Sequence, residues 1–137
     1  MSINFKSIGR KNPRDRQAPA KYYASINTKG KRNIRFIAEE IADRSSLNEM
    51  DIMSVIEGFL QIVPKTLLDG YTVDLGEFGN MGLTAKSEAV EKAEDLNASH
   101  INGVKVNFRP GKLFKDELAS AKFEKISNSQ ESIIVSE

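Results

Sequence analysis

Apolar and polar positions along this chain fall into blocks of different period. Ile3, Phe5 and Ile8 nearly alternate with polar residues, and Lys21-Tyr22-Tyr23-Ala24-Ser25-Ile26 is aromatic and β-prone. The pattern predicts two short strands flanking a loop over residues 9 to 20. Asn27-Thr28-Lys29-Gly30-Lys31 reads as a turn. The period then changes: Ile34, Ile37, Ala38, Ile41 and Ala42 lie on one face of an amphipathic helix ending near Arg44. Leu47-Asn48-Glu49-Met50-Asp51-Ile52 marks a second helix start, with Asn48 as cap, Asp51 three residues on, and Leu47 and Ile52 as an apolar staple. The apolar residues from Ile52 to Leu68 cover more than one stripe, which calls for burial on two sides, as inside a dimer. Pro64 predicts a kink or restart, and Asp69-Gly70 a left-handed stop.

Beyond that stop, Tyr71 to Leu75 alternates as a strand, and Gly76-Glu77-Phe78-Gly79-Asn80-Met81-Gly82-Leu83 continues it past a glycine-relieved bend. Residues 86 to 100 are acidic and weakly patterned. Val104 to Phe108 alternates again, Pro110-Gly111 punctuates, and Lys112 to about Lys122 forms a last helix with Leu113, Phe114 and Leu118 inward. The expected organisation is a basic extension over 1–32 with two strands, one domain over 33–122, and a flexible tail over 123–137.

Length changes this picture little, since 137 residues normally support a single core. The absence of cysteine removes disulfides and thiolate metal sites and points to a reducing, cytoplasmic setting. The longest apolar run, Ile52 to Val63, is broken by Ser54, Glu57, Gly58 and Gln61 and is too polar to span a bilayer. The first ten residues lack the apolar stretch of a signal peptide. Charge changes it more. Residues 1–35 hold ten Lys or Arg against the single acid Asp15, a net of +9, while residues 36–137 carry a net of −8. That asymmetry hides inside an overall charge of +1 and suggests a polyanion partner or a solubilising segment.

Catalytic chemistry finds little support. His100 is the one histidine and sits in a polar turn, and the pairs Glu39-Glu40 and Glu94-Asp95 point apart on a helix with no histidine or cysteine beside them. Gly76, Gly79 and Gly82 have strand residues between them and no following helix, so they match no phosphate-binding loop. No catalytic residue, metal, cofactor or small-molecule substrate is expected.

Three colinear motifs carry a resemblance to the bacterial histone-like HU and integration host factor family. L-N-E-M-D resembles the L-S-x-x-D opening of that family's second helix, D-G-Y-T-V-D-L-G-E-F-G-N-M its segment ending G-F-G-x-F, and V-N-F-R-P-G-K-L-F-K-D-E-L its closing P-x-F-x-x-G-K-x-L-K. The N-terminal third is similar to the longer HU-related branch. The resemblance implies an α+β, IHF-like intertwined homodimer, a helical body plus an antiparallel β-saddle whose arms embrace the DNA minor groove. It also implies a nucleoid-associated, architectural protein that condenses double-stranded DNA. Phe59, Phe78, Met81 and Phe108 are then dimer-core residues, Met81 replacing the family's second phenylalanine.

The arm departs from the family. Where the family has an arginine-rich arm tipped by R-N-P, whose proline wedges between base steps, this excursion carries Glu88, Glu91, Glu94 and Asp95 and no proline. The expected DNA contacts therefore move to Lys6, Arg10, Lys11, Arg14, Arg16 and Lys21, to Lys29, Lys31, Arg32 and Arg35, and to Arg109, Lys112 and Lys115. Lys11-Asn12-Pro13 is locally similar to the family's arm tip, with Pro13 a candidate wedge. The N-terminal strands could also extend the saddle sheet as edge strands. The alternative reading is an HU-fold structural or protein-interaction module with weak or no DNA binding.

Overall fold

The computed structural model describes residues 1–126 and 133–135. The chain divides into two compact units: Asn33–Ala119, and Met1–Arg32 together with the segment from Ser120 onward.

In the central unit, α1 (Ile34–Ala42) begins at Asn33, whose Oδ1 accepts the Phe36 N–H at 2.9 Å. The longer α2 (Glu49–Leu68) begins in the same way at Asn48, whose Oδ1 accepts the Asp51 N–H at 2.9 Å. Each cap satisfies an amide that the first turn leaves without a carbonyl. α2 is a single helix through Pro64, so it does not restart there. The proline ring already holds a helical φ, and the neighbouring Val63 and Leu67 are buried, so packing outweighs the one missing donor. Gly70, at φ +94°, ends the helix as expected.

A three-stranded antiparallel sheet follows, in the order β3 (Val73–Asp74), β4 (Gly79–Ser87) and β5 (Ile101–Pro110). A short 3-10 turn, Gly76–Phe78, joins β3 to β4, and α3 (Lys112–Ala119) closes the unit. The acidic excursion between β4 and β5 is structured. It holds two 3-10 turns, Ala93–Asp95 and Ala98–His100, and its base is pinned where the Glu88 N–H donates to the His100 carbonyl at 2.9 Å.

The other unit is a sheet of its own. β1 (Ile3–Lys11) and β2 (Lys21–Ile26) pair antiparallel, as the alternation predicts. They belong to a different sheet from β3–β5, and the other edge of β1 is taken by β6 (Phe123–Lys125) and β7 (Ile133–Val135), both parallel to it. Much of the expected flexible tail, residues 127–132 and 136–137, lies outside the described residues. The rest of that tail forms these two strands and Ile126.

Among the described residues the buried apolar set is small: Ile8, Ala38, Ile52, Val63 and Leu67. Of the α1 stripe only Ala38 is buried, and Leu113 and Leu118, expected inward on α3, are exposed in the protomer. On α2, Met50, Val55, Phe59, Leu60, Ile62 and Leu68 are all exposed.

Candidate nucleic-acid interface

The β1–β2 register determines which side chains of the basic extension share a face. Arg10 lies opposite Lys21, Ile8 opposite Tyr23 and Lys6 opposite Ser25, so Lys6, Ile8, Arg10, Lys21, Tyr23 and Ser25 fall on one side of the hairpin. On that side the Arg10 guanidinium carbon stands 5.8 Å from the Tyr23 ring centroid, within cation–π range. At the hairpin tip, Arg10, Lys11, Asn12, Pro19, Lys21 and Tyr23 line a groove of about 590 Å³.

The connecting loop is organised by its own side chains. Asn12 Oδ1 accepts the Arg14 N–H at 3.0 Å, and Asp15 Oδ1 accepts the Gln17 N–H at 3.1 Å. Backbone bonds Asp15 to Asn12 and Ala18 to Asp15 overlay these two Asx turns. Asp15, the one acid of the extension, thus spends an acceptor on the backbone while Arg14 and Arg16 project into solvent. Pro13 sits exposed in the first of these turns. Lys29, Lys31 and Arg32 are exposed in the segment after β2.

The central unit has a second basic face. Pairing of β4 with β5 sets Asn80 opposite Arg109, Gly82 opposite Asn107, Thr84 opposite Lys105 and Lys86 opposite Gly103, which puts all their side chains on one side. The Asn107 amide donates to the Thr84 hydroxyl across the strands. Three cations, Lys86, Lys105 and Arg109, share this face with one acid, Asp74 of β3, opposite Asn80. Lys86 and Lys105 were absent from the sequence-based set. The period of two through Val104-Lys105-Val106-Asn107-Phe108 was the available signal, since it puts Lys105 and Asn107 on the face away from the apolar residues.

The opposite face of the same hairpin is apolar: Met81 faces Phe108, Leu83 faces Val106 and Ala85 faces Val104. At one end Phe78, Phe108 and Phe114 form a ring cluster, with centroids 4.6 Å apart for Phe78–Phe114, 5.6 Å for Phe78–Phe108 and 5.8 Å for Phe108–Phe114. Phe78 and Phe108 remain about half exposed in the protomer, at 48% and 40%, as does Phe59 at 45%.

The remaining sequence-predicted cations are dispersed. Lys112 and Lys115 are exposed on α3. Arg35 belongs to the central unit and forms an exposed ion pair with Glu49 at 3.4 Å, bridging α1 to the start of α2. His100 Nδ1 accepts the Asn97 N–H at 3.1 Å, closing a turn of the excursion. No group of three or more His, Cys, Asp or Glu that could hold a metal occurs among the described residues. No described helix is long and apolar enough to cross a membrane.

Residues 1–125 match the family model HU-HIG, described as an HU domain fused to wHTH, Ig or glycine-rich motif. The chain also shares its fold with a bacterial protein from Bacteroides vulgatus ATCC 8482, provisionally described as DNA-binding, at TM-score 0.65 and 13% identity. The match covers 95% of this chain and 51% of that one, so the chain spans about half the length of its structural neighbour. A search of curated proteins finds no match.

Proposed function

The chain belongs to the HU-HIG family of fused HU domains, and from that premise we propose that it is a non-enzymatic, nucleoid-associated DNA-binding protein acting as a homodimer in the cytoplasm. Its grip on duplex DNA is largely independent of sequence. The observation that carries this reading is the pair of cation-bearing faces: Lys6, Arg10 and Lys21 on the N-terminal hairpin, and Lys86, Lys105 and Arg109 on the β4–β5 hairpin. Lys and Arg meeting phosphates release counterions, which gives affinity without base readout. Lys112, Lys115, Lys11, Arg14 and Arg16 add to the same field.

The dimer reading rests on the exposed apolar faces of α2 and of β4–β5. Five buried apolar residues among those described make too small a core for a chain of this length, whereas a second copy covering Phe59, Met81 and Phe108 would enlarge it. Mobility shifts on unrelated duplexes at rising salt test the function. With about four to eight cations engaged per dimer, log affinity should fall against log salt with a slope of about −4 to −7. Failure to shift any duplex at low salt overturns the reading.

A second reading, an HU-fold interaction module without DNA, draws on the acidic excursion. Glu88, Glu91, Glu94 and Asp95 are exposed where the resemblance would place a basic arm. The same titration decides between the two.

A further inference from the structure

The groove at the tip of the β1–β2 hairpin has more than a phosphate contact requires. Its lining combines three cations, Arg10, Lys11 and Lys21, with flat apolar surfaces, the Tyr23 ring and Pro19. Asp15, the nearest acid in sequence, is not part of the lining and is engaged with the Gln17 amide. Tyr23 is 52% exposed, and Arg10 lies over its ring, so guanidinium and phenol form one stacking platform. Asn12 also lines the groove, and the loop that follows it is ordered by the Asn12 and Asp15 turns. A volume of about 590 Å³ is in the range of sites that hold a single small organic group.

Duplex DNA presents phosphates and base edges to a protein but keeps the flat faces of its bases stacked inside. A basic groove with an exposed aromatic–guanidinium platform suits a base that is free to leave its neighbours. We propose that this groove binds an unpaired nucleotide of single-stranded DNA, the base stacking on Arg10 and Tyr23 and the flanking phosphates meeting Lys21 and Lys11. This site rests on the DNA-binding reading and extends it: the protein would prefer melted, gapped or frayed segments at the hairpin while the remaining cations hold duplex.

The test uses the full chain and fluorescence polarisation with three labelled probes: a thymidine strand of about eight nucleotides, an abasic strand of the same length, and a duplex. Stacking predicts that the thymidine strand binds about fivefold to a hundredfold more tightly than the abasic strand. Tyr23→Leu, which keeps an apolar side chain but removes the ring, should abolish that difference and leave duplex affinity unchanged, and Tyr23→Phe should retain it. Equal binding of thymidine and abasic strands by the wild-type protein overturns the proposal without any variant. So does an equal loss of strand and duplex affinity in Tyr23→Leu. If the wild-type protein binds none of the three probes, the DNA-binding reading falls with it, whereas duplex binding without the thymidine preference removes the groove site alone.

Discussion

Gly79 and Gly111 show how tightly single positions fix the junction beneath the ring cluster. Gly79 is buried at φ +147°, and a Cβ there would lie 2.4 Å from the Arg109 carbonyl oxygen and 2.9 Å from the Phe108 ring. At Gly111 a Cβ would come within 2.3 Å of the Glu77 carbonyl oxygen. In both places backbone stands in the way, and backbone cannot rotate aside. Gly79→Ala and Gly111→Ala should each cost about 1–3 kcal/mol, a fall of several degrees in Tm by calorimetry. Asn48→Ala should cost about 1 kcal/mol by loss of the α2 cap. An unchanged Tm in either glycine variant would mean that the junction opens without penalty. At this scale the sequence was informative where chemistry is local. The Asn48 cap and the Gly70 stop were readable directly, but the second cap, Asn33, was hidden in a run of cations. The need for glycine at 79 and 111 depends on neighbours brought close only by folding.

Among the elements, the excursion between β4 and β5 invites the sharpest experiment. Its turns and its pinned base make it a defined acidic projection, and its carboxylates oppose any phosphate brought near. If the excursion lies beside bound DNA, neutralising Glu88, Glu91, Glu94 and Asp95 to amides should raise duplex affinity at low salt. The gain should vanish toward molar salt, where the screening length falls to about 3 Å. Equal affinity at low salt would mean that the excursion points away from DNA. On the β4–β5 hairpin, Lys86→Gln with Lys105→Gln should lower the salt slope by about 0.9 per lost phosphate contact. Strand alternation made the polar and apolar faces of this hairpin legible in principle. The pairing of β6 and β7 with β1 was not, because three-residue strands carry too little periodicity to stand out and their partner lies at the far end of the chain.

For the whole molecule, the question is what covers the apolar surface. A protomer that leaves Phe59, Leu60, Ile62 and Leu68 of α2 exposed, together with Val104 and Val106 of β5, is poorly suited to exist alone in water. Sedimentation should show a dimer, and Tm should rise with protein concentration because association and folding are linked. Phe59→Asp should shift the species toward monomer and lower Tm, while a monomeric wild-type protein would remove the dimer from the proposal. The width of the apolar pattern on α2 announced this surface from the sequence. What covers it depends on how two surfaces meet in space, which a one-dimensional pattern does not record.

The strand order of the N-terminal sheet also sets a timetable. β1 and β2 leave the ribosome before the central unit, yet the strands that occupy the second edge of β1 come after the whole of it. About a hundred residues separate them, which at ordinary synthesis rates is about 5–20 s. Throughout that interval the hairpin displays a row of unpaired amides and carbonyls beside its cluster of cations, the kind of edge that recruits foreign strands. The cationic side chains on and around it, Lys6, Arg10 and Lys11 among them, would repel a second nascent copy while the edge waits for its own chain to return.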